Sequence, residues 1–107
     1  MRFVALELSL QIVRKLRVLV PLIRRHDRKL FTQVSTAATS VSLNLGEGSR
    51  RVGNDRTHLF RVASGSAEEV RTAIRVAEAW GYFDESRAGD VLDDIDRLQR
   101  LIYGLGG

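Results

Sequence analysis

The stretch Phe60-Arg-Val-Ala-Ser-Gly-Ser-Ala-Glu-Glu-Val-Arg-Thr-Ala-Ile-Arg-Val-Ala77 decides the fold. Phe60, Ala63, Ala67, Val70, Ile74 and Ala77, continued by Gly81, recur at alternating steps of three and four, the spacing of a helix that lays one apolar stripe into a bundle seam. Upstream, Leu30, Val34, Ala38, Val41 and Leu45 repeat that spacing behind Asp27, a suitable N-cap, and Gly46 and Gly48 close the segment. Before it, Leu8, Ile12, Leu16, Leu19 and Ile23 share one face of a helix from about Val4 to Arg25. Pro21 removes a ladder bond there, so this helix is expected to become irregular after Arg17. Downstream of the seam, Gly81 can adopt the left-handed C-terminal conformation and Asp84 can cap a fourth helix carrying Val91, Ile95, Leu98, Ile102 and Leu105. Four helices joined by short turns predict an all-α, antiparallel up-down four-helix bundle, one domain over residues 1–107.

Composition agrees with a single small core. Of 107 residues, 44% are apolar and only 7% aromatic, so Leu, Val, Ile and Ala must fill the interior. The absence of cysteine excludes disulfides, thiolate metal sites and a cysteine nucleophile. No signal peptide is read at the start, and Arg14, Lys15, Arg17, Arg24 and Arg25 interrupt the first segment well short of the roughly 20 apolar residues that cross a bilayer. A cytoplasmic protein without membrane attachment is expected. The net charge of +4 conceals a split: residues 1–61 carry 12 Lys/Arg and 4 Asp/Glu, residues 62–107 carry 5 and 9. Such asymmetry suits either a basic face for nucleic acid or the complementary surfaces of a self-associating chain.

The Gly48-Ser-Arg-Arg-Val-Gly-Asn-Asp55 stretch reads as the loop between the second and third helices, with Asn54 or Asp55 capping the third helix. An antiparallel hairpin about this loop sets Ser40 near Ala63 and Ala37 near Ser66. Small residues on both sides would let the backbones approach closely, and Gly65 is expected to pack there, offsetting a propensity cost of about 1 kcal/mol. Beside the seam, Leu59, Val62, Ala73, Val76, Trp80 and Phe83 form a second apolar flank through which self-association is expected.

Three pieces of sequence carry a family resemblance. Ser40-Val-Ser-Leu-Asn-Leu-Gly-Glu-Gly48, then Phe60-Arg-Val-Ala-Ser-Gly-Ser-Ala-Glu-Glu69, then Ala77-Glu-Ala-Trp-Gly-Tyr82 together resemble the bacterial four-helix-bundle family whose founders are encoded in intervening sequences of large-subunit ribosomal RNA genes. The likeness spans roughly residues 28–105 and extends to the accessory protein of diversity-generating retroelements. It implies a ring-like homo-oligomer, a pentamer being favoured, without catalytic activity, whose partners are RNA, DNA or a protein such as a reverse transcriptase. The motif residues are Asn44, Glu47, Gly48, Gly65, Ser66 and Glu69. The aromatic start of the first helix and the Phe-Pro turn common in the family are replaced here by Arg24-Arg-His-Asp-Arg-Lys29.

Asn44, Glu47 and Glu69 are expected to be structural, satisfying helix-end and interhelical hydrogen bonds on partly buried faces, and Ser64 and Ser66 to be packing residues. Two basic clusters, Arg24, Arg25, Arg28 and Lys29 at one end and Arg50, Arg51 and Arg56 at the other, are the candidate phosphate contacts. The same bundle holding a protein partner is the rival reading. Arg51 and His58, with six residues between them, fit the loose Arg-x4-6-His spacing of HEPN ribonucleases, an enzyme alternative that needs the Arg to stabilise phosphate and the His to activate a ribose hydroxyl. His26 is read as solvated. Neither histidine follows a Glu by three positions, and Gly46, Gly48 and Gly53 lack the strand and Lys-Ser/Thr of a phosphate loop, so no metal and no cofactor are expected.

Overall fold

The computed structural model describes residues 2–106, and every regular element among them is an α-helix: α1 (Val4–His26), α2 (Arg28–Gly48), α3 (Gly53–Ala79) and α4 (Glu85–Gly104). The connections are Asp27, Ser49 to Val52 and Trp80 to Asp84, too short for anything but antiparallel neighbours. Each helix packs on the next and α4 returns to α1, with α2 and α3 in the most extensive contact. The bundle is 42 Å long and about half as wide, 23 × 19 Å.

The apolar positions at helical spacing form one core. Leu8, Ile12, Leu16, Leu19 and Ile23 from α1, Leu30, Val34, Ala38, Val41 and Leu45 from α2, the α3 seam through Ala77, and Val91, Ile95, Leu98 and Ile102 from α4 are all buried. Leu105, by contrast, is the C-cap of α4 and remains 39% exposed.

One polar clasp joins each neighbouring pair of helices. Ser9 Oγ meets Ser42 Oγ at 2.9 Å between α1 and α2, and Ser40 Oγ meets Ser66 Oγ at 2.9 Å between α2 and α3. Arg71 Nε donates to Asp96 at 2.9 Å between α3 and α4. Between α4 and α1, Lys15 Nζ lies 2.6 Å from buried Asp94 and 2.9 Å from exposed Asp90, while Gln11 donates to Asp94 at 3.3 Å. These clasps satisfy polar groups that the core would otherwise strand, and no buried side-chain nitrogen or oxygen among the described residues lacks a partner.

The hydrogen bond to Asp94, reinforced by Asp90, raises the Lys15 ammonium above its usual 10.5. A raised folded-state value means that the contribution is complete below pH 10.5 and fades as pH climbs through the folded value. Lys15→Met is therefore expected to lower stability by about 1–2 kcal/mol at neutral pH, between the limits for surface and buried pairs. The gap from wild type should close as pH rises through that raised value. Urea unfolding of both proteins from neutral pH to well above 10.5 measures it.

Pro21 does not interrupt α1, which continues to His26. The missing N–H would have met the Arg17 carbonyl; both residues are on the exposed side, where water can take the carbonyl, while buried Leu19 and Ile23 anchor the turn. Asp27 caps α2 as expected, its Oδ1 accepting from Leu30 N at 2.9 Å. Neither Asn54 nor Asp55 caps α3: the helix starts earlier, at Gly53, whose φ of +62° lets the chain swing from extended Val52 into the first turn. Asp84 is the N-cap of α4, with the backbone Arg87 N to Asp84 O bond of 3.0 Å and no bond from its side chain. At the α3 C-terminus, Gly81 has φ +81° and a Schellman pair forms, Tyr82 N to Ala77 O and Gly81 N to Glu78 O.

The α2–α3 register is displaced by about one turn from the sequence expectation: Ser40 faces Ser66, not Ala63. Gly48 explains the shift. A Cβ there would sit 2.7 Å from Cε1 of Phe60, which is fully buried, so the ring occupies the room the glycine leaves and pins the hairpin. Gly65 is not the close-approach residue; it lies on the exposed side, with nothing within 4 Å of a built Cβ. The second apolar flank is divided rather than continuous, since Ala73 and Phe83 enter the core while Val62, Val76 and Trp80 face outward at 37%, 39% and 71% exposure.

Candidate nucleic-acid interface

The α1–α2 connection and the α3–α4 connection share one end of the bundle. Tyr82 stacks on His26 with ring centroids 4.9 Å apart and planes within 6° of parallel. Burial, then the nearby Asp27 charge, pushes the Tyr82 phenol above the usual tyrosine value. This stack ties the two turns together and gives the basic end a fixed base.

Arg24 and Arg25 occupy the last turn of α1, Arg28 and Lys29 the first turn of α2. None of the four forms an ion pair among the described residues. Arg24 and Arg25 complement the negative end of the α1 dipole, but Arg28 and Lys29 sit at the positive end of α2, whose first turn holds no acidic residue. One carboxylate lies at this terminus, the Asp27 cap bonded to Leu30 N, and the four cations around it outnumber it. An anion brought to this end offsets that excess. The Arg24 guanidinium lies over the Phe31 ring, 5.5 Å from its centroid. Pro21, Arg24, Arg25, Arg28 and Phe31 line an open groove there, and no carboxylate shares its walls.

The other cluster is arranged differently. Arg50 and Arg51 follow the C-terminus of α2, where positive charge is favourable, and Arg51 donates to Glu47 at 2.9 Å. The Arg56 guanidinium packs 5.1 Å from the Phe60 ring centroid. Arg51 thus has an ion-pair partner, whereas Arg56 lies over an aromatic ring just as Arg24 does at the other end. The ends are separated by the length of α2, roughly 30 Å at 1.5 Å per residue. The structure thus does not gather the seven basic residues into one surface.

The motif residues fall mostly along the outer seam of α2 and α3. Asn44 Nδ2 donates to the Ser40 carbonyl at 2.8 Å and to Ser40 Oγ at 3.1 Å, and Ser40 in turn meets Ser66. Glu47 and Glu69 are exposed, contrary to the expectation of partial burial, because each lies two residues beyond a buried position, Leu45 and Ala67, about 200° around its helix. Glu47 serves Arg51, and Gly48 receives Phe60. Gly65→Ala should raise the stability of a lone bundle by about 0.5–1 kcal/mol, since it relieves helix propensity and meets no neighbour. Urea midpoints of dilute protein report it.

Arg51 and His58 are not joined by a hydrogen bond; Arg51 is engaged by Glu47 and His58 is exposed on α3. Among the described residues, no group of three or more His, Asp or Glu converges as a metal site. No helix among them is long and apolar enough to cross a membrane. The sequence reading missed Pro21 and Phe31 as groove residues, although each lies three positions from an arginine on the same helix face, Pro21 before Arg24 and Phe31 after Arg28.

A family model described as 23S rRNA-intervening sequence protein matches residues 4–104. Among solved structures, the crystal structure of a protein with unknown function from the S23 ribosomal protein family of Bacteroides thetaiotaomicron superposes with a TM-score of 0.84 over 95% of this chain and 97% of that one, at 16% sequence identity. That likeness is one of fold. No curated protein matches the chain.

Proposed function

The chain belongs to the 23S rRNA-intervening sequence protein family, and from that premise we propose that it is a non-enzymatic accessory protein that binds nucleic acid through the Arg24, Arg25, Arg28 and Lys29 end. The observation that carries this reading is Arg28 and Lys29 at the positive terminus of α2 without an ion-pair partner among the described residues. Asp27 supplies one negative charge at this terminus, and an external anion accounts for the excess of cations over it; a run of phosphates supplies such charges. Self-association, for which a pentamer is the form the family resemblance favours, would repeat this end around an axis and multiply the contacts. Exposed Leu43, Val62, Val76 and Trp80 supply apolar surface for it.

The test is binding of the purified protein to fluorescent RNA and DNA at low and near-physiological salt, with light scattering on the same samples. Submicromolar binding that weakens steeply with salt is the expected result. No binding at low salt would contradict the reading and favour a protein partner on the same scaffold.

A further inference from the structure

The groove at the basic end combines cations with an aromatic ring in one open concavity. It measures about 430 Å³, is walled by Pro21, Arg24, Arg25 and Arg28, and has Phe31 beneath the Arg24 guanidinium. Volumes of this order accommodate small organic molecules, and apolar surface combined with a few convergent polar groups is what such sites share. Three guanidinium groups around one concavity repel each other unless an anion lies between them. A duplex presents its phosphates on a convex surface and keeps its bases stacked inside, so it can touch the rim of such a groove and place nothing within it. A single strand has free bases and a flexible backbone, and a base turned aside can stack on a guanidinium plane or an aromatic ring.

We propose that the groove takes one splayed nucleotide of a single-stranded nucleic acid, its phosphate against Arg25 and Arg28 and its base stacked on Arg24, which Phe31 supports from behind. This rests on the nucleic-acid reading above and assigns it a strand class. Arg24 contributes its plane and Arg25 and Arg28 contribute charge, so the two kinds of contact are separable. Lysine at position 24 keeps the charge and removes the planar stacking surface.

The experiment compares a fluorescein-labelled single-stranded oligoribonucleotide, the same strand annealed into a duplex, and the same strand carrying abasic positions, each with wild type and Arg24→Lys at one low salt concentration. Arg24 is exposed, and circular dichroism checks that the variant folds. The wild type should bind the intact strand about tenfold more tightly than duplex or abasic strand, the scale of one stacked base. Arg24→Lys should lose most of that preference and leave duplex affinity nearly unchanged. Equal affinity for strand and duplex, an abasic strand that binds as well as the intact one, or an Arg24→Lys variant that keeps the full preference would overturn the splayed nucleotide while leaving the nucleic-acid reading standing. Failure to bind any of the three probes would overturn both.

Discussion

Gly48→Ala is expected to destabilise the bundle by about 1–3 kcal/mol, and Gly48→Val by more. The added Cβ would meet Phe60 Cε1 at 2.7 Å, Cδ1 at 2.9 Å and Leu59 Cβ at 3.3 Å. Phe60 has little freedom to yield: it is fully buried, its ring stacks on Phe3 at 5.8 Å between centroids, and Arg56 covers it. Relief must come from sliding α2 against α3, which would also stretch the Ser40–Ser66 hydrogen bond. Against a total of about 5–15 kcal/mol for a small domain, that loss is large. Urea unfolding measures it directly. Phe60→Leu in the Gly48→Ala background should recover part of the loss, because the smaller side chain vacates the space the new methyl needs. An unchanged midpoint in Gly48→Ala would show that this contact does not set the hairpin register.

The second large effect concerns the basic end, where stability and binding should move in opposite directions. Changing Arg28 and Lys29 together to Glu puts negative charge at the positive terminus of α2 and eases the crowding of like charges around Arg24 and Arg25. A gain of roughly 0.5–2 kcal/mol in stability is expected. Nucleic-acid affinity should fall on the order of a hundredfold at low salt, since two phosphate contacts are lost and two repulsions are created. A variant that is more stable and binds less separates a charge kept for a ligand from a charge kept for the fold. Equal losses in both quantities would mean that the residues are structural.

Much of the architecture was legible because its determinants are local. Leu8 to Ile23, Leu30 to Leu45, Phe60 to Ala77 and Val91 to Ile102 report their burial through spacing alone, and Asp27 declares a helix start by its position before Leu30. The interhelical register was not legible, since it depends on a contact between Gly48 and Phe60, on separate helices, that no periodicity encodes. Gly65 misled for another reason: it is two residues from both Ala63 and Ala67, about 200° around α3 from the buried seam, so its helical phase turns it outward despite its small neighbours. Pro21 misled because its cost depends on which side of the helix loses the bond, and the exposed side can be hydrated. As for the site, both basic clusters were visible as composition. What distinguishes them, Arg51 paired with Glu47 at one end against Arg28 and Lys29 without an ion pair among the described residues at the other, required the chain to be folded.

The most direct measurement is therefore the nucleic-acid affinity of two paired reversals, Arg28→Glu with Lys29→Glu and Arg50→Glu with Arg51→Glu, titrated against wild type over a range of salt. Both variants change the net charge equally, so a nonspecific effect of charge would weaken them alike. The structure predicts that the first pair loses about a hundredfold and flattens the salt dependence by roughly two phosphate contacts, while the second changes affinity several-fold at most. Equal losses at the two ends, or a greater loss from Arg50 and Arg51, would contradict the assignment of nucleic-acid binding to the α1–α2 end.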